Sequence, residues 1–161
     1  MDLKSLFYPE SVAVIGASAD TTKIGYQIVR NLKEGGYRGK VYPVNRKGGN
    51  ILGYTVYPSI GDVPDKVDLA IISVPAEHTP EAAEECGKKG VFGIIVVASG
   101  FSEVGRKDLE DQLVSVCRKY NMRLLGPNVV GLMNNVVKLN ASFAPYLPYP
   151  GTIGMVSQSG A

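Results

Sequence analysis

The sequence predicts an α/β domain built on a doubly wound, mostly parallel sheet with helices on both faces. Apolar, β-branched runs recur along the chain, amphipathic stretches separate them, and the runs are continuous where a half-exposed strand would alternate. Continuous runs indicate strands covered on both sides, and regular strand–helix alternation implies parallel pairing through crossovers. With 161 residues, 45% of them apolar, the chain suits one domain whose core closes without staples.

Five strands are predicted, over 11–16, 40–45, 67–74, 92–98 and 123–126. Three helices lie between them. In 24–34 the apolar residues Ile24, Ile28, Val29 and Leu32 form one stripe. The segment 77–89 carries acids early and ends Gly-Lys-Lys-Gly, which suits the helix dipole and supplies a glycine stop. In 106–120 the spacing of Leu109, Leu113 and Val116 is helical, with Cys117 on the apolar side. Two stretches break the alternation. Residues 48–58 read as a turn and a short extended excursion. Residues 129–150, rich in turn formers, read as short strands or loop wrapping the surface. A last strand over 152–156 leads into Ser157, Gln158, Ser159 and Gly160, the expected opening of a further phosphate-binding helix.

Composition excludes several classes. A formal net charge of +2 argues against a nucleic-acid surface. No apolar run approaches the ~20 residues of a membrane span, and the first ten residues, with Asp2, Lys4 and Glu10, do not resemble a secretory leader. The two cysteines, Cys86 and Cys117, show no pairing pattern and fall within helices, so they are expected to be reduced, buried and inert. The expected location is cytoplasmic. Metal-ligand spacing is absent, and a single histidine, His78, with no Gly-x-Ser-x-Gly elbow around Ser157 or Ser159, leaves little material for a triad. His78 reads as a surface or capping residue. No catalytic residue is assigned.

Binding chemistry concentrates where strands end. After the first strand, Gly16 lets backbone approach a pyrophosphate, while Ser18, Thr21, Thr22 and Lys23 add donors beside a helix N-terminus. A plain βα turn with capping residues is the bland reading of the same loop, which lacks the middle glycine of Gly-x-Gly-x-x-Gly. The second strand ends Val44-Asn45-Arg46-Lys47-Gly48. NAD sites place a carboxylate here for the ribose hydroxyls. Two cations stand instead, which disfavours NAD and suits a phosphorylated ribose, as in coenzyme A or NADP. The third strand ends at Ser73, Val74 and Pro75, the fourth at Ala98, Ser99 and Gly100, both at the ligand-binding carboxyl edge.

Six motifs occur in order: Ser11-Val-Ala-Val-Ile-Gly-Ala-Ser18, Val41-Tyr-Pro-Val-Asn45, Asp68-Leu-Ala-Ile-Ile-Ser-Val-Pro-Ala76, Ala98-Ser-Gly-Phe-Ser-Glu103, Gly126-Pro-Asn128 and Val156-Ser-Gln-Ser-Gly160. Together they resemble the Rossmann-like, N-terminal CoA-binding domain of NDP-forming acyl-CoA synthetases of the acetate type, relatives of the succinyl-CoA synthetase alpha subunit. The resemblance implies interconversion of acyl-CoA, ADP and phosphate with acid, CoA and ATP, through acyl phosphate and a phosphohistidine outside this chain. It places Gly16, Ser18 and Lys23 on the CoA phosphates and Val44, Asn45 and Lys47 at the adenosine end. Ser73, Val74 and Pro75 would flank the cofactor, and Ala98, Ser99 and Gly100 would border a pantetheine arm running toward Asn128. Residues 1–150 would be the CoA-binding domain and 151–161 the start of a ligase domain, with ATP-grasp domains or subunits as partners. Where many relatives have cysteine after Gly-Pro-Asn this chain has Val129, read as a packing variant. A regulatory module fused to a lysine acetyltransferase and an NADP-binding domain remain as alternatives.

Overall fold

Successive side chains of a strand point to opposite faces, so a continuous apolar run feeds two cores at once. The computed structural model, which describes residues 3–157, shows this directly. In β1 (Ser11–Ile15), Val12 and Val14 enter one core while Ala13 and Ile15 enter the other. Four further strands, β2 (Lys40–Val44), β5 (Leu69–Ile72), β6 (Gly93–Val96) and β7 (Arg123–Leu125), complete a parallel sheet in the order β2-β1-β5-β6-β7. This is the predicted doubly wound α/β fold.

Helices α3 (Thr79–Lys89) and α4 (Lys107–Lys119) cover one face, with Ala83, Cys86, Leu109 and Leu113 buried against it. A 3₁₀ turn, Ala76–His78, precedes α3, so the predicted helix begins two residues late. Both cysteines are free and buried, and burial pushes the Cys117 thiol up to about 11 and Cys86 well above its usual range. Their thiols therefore stay protonated and inert.

The other face receives α2 (Ile24–Glu34) through Ile28, Val29 and Leu32, all fully buried. One helix does not cover it. The antiparallel hairpin β8 (Gly131–Asn134) and β9 (Leu139–Ser142) closes the gap, packing on α2. Here the structure corrects the expectation of a surface wrap over 129–150. Every residue of β9 is buried, because its side chains substitute for a missing helix. Asn31, itself buried in α2, donates from Nδ2 to the carbonyls of Ser142 (2.9 Å) and Ala144 (2.8 Å). A smaller hairpin, β3 (Gly49–Ile51) with β4 (Tyr54–Val56), realises the excursion after β2, and a short α1 (Lys4–Phe7) was not anticipated.

The strand expected over 152–156 does not form. Ile153, Met155 and Val156 are almost wholly exposed, and no described strand lies beside them to accept a ladder. The helix opening expected at 157–160 lies, beyond Ser157, outside the described residues.

At the amino edge, Asp68 fastens β1 to β5. Its Oδ2 accepts from Glu10 N (2.9 Å), its Oδ1 pairs with Lys66 Nζ (2.8 Å), and its own N–H donates to Ser11 Oγ (3.0 Å). Burial pushes the Asp68 carboxyl up, but the Lys66 ammonium and the Glu10 amide outweigh that and hold it below the usual range. A lowered carboxyl stabilises the fold above the unfolded value and loses that contribution as pH falls through the folded value. Asp68→Asn should therefore cost about 1.5–3 kcal/mol at pH 7, the range for hydrogen bonds to charged groups. The difference from the parent should shrink in acid, which urea unfolding at neutral and acidic pH checks.

At the carboxyl edge, α2 meets β1 without clearance. A Cβ on Gly25 would lie 2.2 Å from the Gly16 carbonyl oxygen and 3.0 Å from Ala17 Cα, both backbone. Gly25→Ala should push the helix off the strand tip and lower stability by about 1–3 kcal/mol, as overpacking does. A thermal melt reads this as a lowered Tm.

Candidate functional site

The chain leaves β1 toward β2 on one side and later crosses to β5 on the other, so strand order reverses beside β1. Carboxyl tips diverge at such a switch point and leave a crevice where open α/β sheets bind ligands. Gly16 turns the chain there with a φ of +86°, a conformation that favours glycine. The N–H groups of Gly16 and Ala17 both donate to the Val44 carbonyl (3.0 and 3.1 Å), folding the β1 tip over β2. A Cβ on Gly16 would come within 3.0 Å of Ser73 Oγ and Val74 Cγ1, so the β1 and β5 tips also meet. Ser73 is spent on that junction, its Oγ donating to the Ile15 carbonyl (2.9 Å).

A cleft of about 500 Å³ opens at this point. Of the residues anticipated, Gly16, Val44, Asn45, Val74 and Pro75 line it. Asn45 is internally committed: its Nδ2 donates to the Ala17 carbonyl (2.8 Å) and its Oδ1 accepts from Lys47 N (2.9 Å). It shapes the tip of β2 and sends the Lys47 side chain outward, exposed and without a hydrogen bond or ion pair among the described residues.

The loop between β1 and α2 is ordered by its own hydrogen bonds. Asp20 N donates to Ser18 Oγ (3.1 Å), and Asp20 Oδ1 accepts from Thr22 N (2.9 Å) and Thr22 Oγ1 (2.7 Å). Those Thr22 bonds hold the Asp20 carboxyl below its ordinary range. Lys23 is the N-cap of α2 and supplies no side-chain cap; its exposed ammonium stands beside the positive end of the helix, makes no hydrogen bond or salt bridge among the described residues, and helps to lower the Asp20 carboxyl.

The remaining anticipated residues form a second group beyond the cleft. Asn128, at a φ of +57°, donates its N–H to the Ala98 carbonyl (3.0 Å), which ties the turn after β7 to the tip of β6. Ser99 is exposed beside it. Gly100, at a φ of +109°, sits so close to Ala76 that a Cβ would be 3.1 Å from that methyl. The Glu103 carboxylate accepts from Gly100 N (2.5 Å) and Phe101 N (3.1 Å), and the Gly100 bond holds it below its usual range. Val129 packs against the rim of the second core, consistent with a packing role.

Sequence reasoning missed part of the cleft. His78 lies on its rim, exposed and making no cap hydrogen bond. Glu81 and Glu85 of α3 line it too, and Arg46 reaches Glu81 across it at 3.8 Å. The helical spacing of 78, 81 and 85 was legible, but nothing marked which face of α3 meets the sheet tips. Pro58 and Ser59 arrive because Tyr57 bridges to Val44, laying the segment after β4 along the end of β2.

Residues 10–135 match the family model described as a CoA binding domain. Among curated proteins, the chain is 52% identical over its whole length to the alpha subunit of an ADP-forming acetate–CoA ligase I from Pyrococcus furiosus, of which it covers 36%. It is 48% identical, over 99% of its length, to an ADP-forming acetate–CoA ligase from Methanocaldococcus jannaschii, of which it covers 22%. Among solved structures, the apo form of dinucleotide forming acetyl-coenzyme A synthetase 1 from Candidatus Korarchaeum cryptofilum superposes with a TM-score of 0.87 at 49% identity, over 89% of this chain and 31% of that one. The chain thus spans about a third or less of these relatives. The choice between CoA and NADP left open by the basic strand end falls to CoA. With this sheet, this switch point and this match, the chain belongs to the CoA-binding domain family, Rossmann-like in fold and with coenzyme A as its cofactor.

Proposed function

We propose that this chain is the CoA-binding part of an ADP-forming acyl-CoA synthetase, the reaction being completed by ligase and ATP-grasp domains or subunits. The supporting observation is that an ADP-forming acetate–CoA ligase subunit is about half identical to it along its full length. In this reading acyl-CoA, ADP and phosphate are interconverted with acid, CoA and ATP. The phosphohistidine that relays the phosphoryl group belongs to a further domain, since His78 stands in no matching motif.

What this chain contributes is position and charge. Gly16 and the amide-rich start of α2 face the pyrophosphate, with Ser18 shaping the loop and Lys23 adding its ammonium. Val44 and Asn45 bound the adenosine end, and Lys47 neutralises the ribose phosphate as a point charge. Val74 and Pro75 wall the cofactor, while Ser73 locks the two strand tips beneath it. Ala98, Ser99 and Gly100 border the pantetheine arm, and Asn128 marks where it emerges with its thiol. Residues 1–150 form the CoA-binding domain, and 151–161 lead toward the next.

Lys23 and Lys47 are exposed and make no hydrogen bond or salt bridge among the described residues, Lys23 acting only through its field on Asp20, so both charges are open to the ligand. Calorimetric titration of the 161-residue chain with CoA, dephospho-CoA, NAD and NADP should give saturable binding of CoA, with dephospho-CoA weaker by about tenfold, as loss of one charge-assisted contact predicts. Lys47→Ala should weaken CoA by a similar factor and leave dephospho-CoA unchanged. Equal CoA affinity in the parent and Lys47→Ala would remove the strand end as the phosphate reader.

A further inference from the structure

The ligand presents phosphates, yet one wall of the cleft is acidic. Of the polar side chains lining it, Asn45 is committed to Ala17 and Lys47, and Ser59 donates to Asp62 Oδ2 (2.8 Å). Glu81 and Glu85 remain, on one face of α3, with His78 at its start and Arg46 opposite. Glu85 makes no hydrogen bond or ion pair among the described residues. Among the described residues Glu81 meets only Arg46, at 3.8 Å and with both side chains largely exposed, a pairing too weak to hold the carboxylate from a competing donor.

An ionised carboxylate accepts hydrogen bonds and donates none. Whatever lies against Glu81 and Glu85 must offer N–H or O–H groups and carry no negative charge. The rest of the lining, including Val44, Pro58, Val74, Pro75 and Ala82, is apolar and suits the faces of a flat ring. The exposed ammonium groups of Lys23 and Lys47 stand outside this lining. The carboxylates therefore form one wall of the cleft, on α3, while cations stand opposite them at Arg46 and around the lining at Lys23 and Lys47. Phosphates are repelled from the acidic wall, so the base is the part of the ligand that lies against α3.

We propose that Glu81 and Glu85 make the cleft selective for a base bearing an exocyclic amino group, adenine, over one carrying a carbonyl oxygen at that position, such as hypoxanthine. This rests on the CoA reading of the site and deepens it. An amino group donates to the carboxylate wall. A carbonyl oxygen there removes the donor and sets lone pair against lone pair, so the penalty is a lost contact plus a repulsion.

The test compares CoA with its deaminated, inosine-containing analogue by calorimetry on the 161-residue chain, its Glu81→Gln and Glu85→Gln variants, and the double variant. An exposed hydrogen bond to a charged group predicts about a tenfold preference for CoA in the parent. Glutamine offers a donor as well as an acceptor, so the double variant should bring the two ligands within about twofold. Most of that change should come from tighter binding of the inosine analogue. The ratio of CoA to dephospho-CoA, which reports on Lys47, should not move. CoA binding with no preference in the parent, or an unchanged preference in the double variant, overturns the inference and leaves the CoA site standing. No CoA binding by the parent overturns the site assignment and this inference together.

Discussion

The carboxyl edge of this sheet depends on the contact between Gly25 and the carbonyl of Gly16, where helix and strand touch with no side chain between them. That proximity brings the first turn of α2, the helix's positive end, against the tip of β1 at Gly16, which lines the crevice. It also fixes where the intervening loop must run. The Asp20–Thr22 hydrogen bonds order that loop, and Lys23 emerges at its end. Widen the contact by one methyl group and the amides, the loop and the ammonium all move relative to Val44 and Val74.

Around that contact the polar groups divide by task. Ser73 and Asn45 look like ligand-binding side chains in the sequence, and Ser59 lines the cleft, yet the hydrogen bonds of all three are made within the protein. They set the outline of the cleft. Among the described residues, the exposed Lys47 ammonium, the Glu85 carboxylate and the His78 imidazole make no hydrogen bond or salt bridge. A site built this way presents a rigid outline with a few free charges, and the cost of ordering its polar lining is met during folding, before any ligand arrives.

The sheet and its helices were legible because continuous β-branched runs and 3.6-residue periodicity arise from local chemistry. Ile24–Glu34 matches its predicted span, and the five strands of the sheet fall inside theirs. Strand-end residues were legible for the same reason, since carboxyl tips of a parallel sheet share one edge whatever the loops do. The parts that escaped depend on three-dimensional juxtaposition. Nothing in the spacing of His78, Glu81 and Glu85 says which way α3 is rotated. The turn-rich composition of 129–150 suggested surface, whereas α2 left half a face uncovered and β9 was drawn in to cover it. The run 152–156 has strand chemistry without a described neighbour, and strand chemistry alone does not make a strand.

The placement of β9 bears on how such chains are divided. The family match stops at residue 135, four residues short of Leu139. A piece trimmed to that boundary would keep the sheet and all the residues assigned to the cofactor, but would strip Leu139 and Ala141 from the flank of α2. The Asn31 amide would lose both of its carbonyl acceptors and stay lodged in the wall of a hole. The cooperative unit therefore runs through Ala144. Anyone excising this module from a longer relative should cut after that residue, although the cleft lining ends at Glu85.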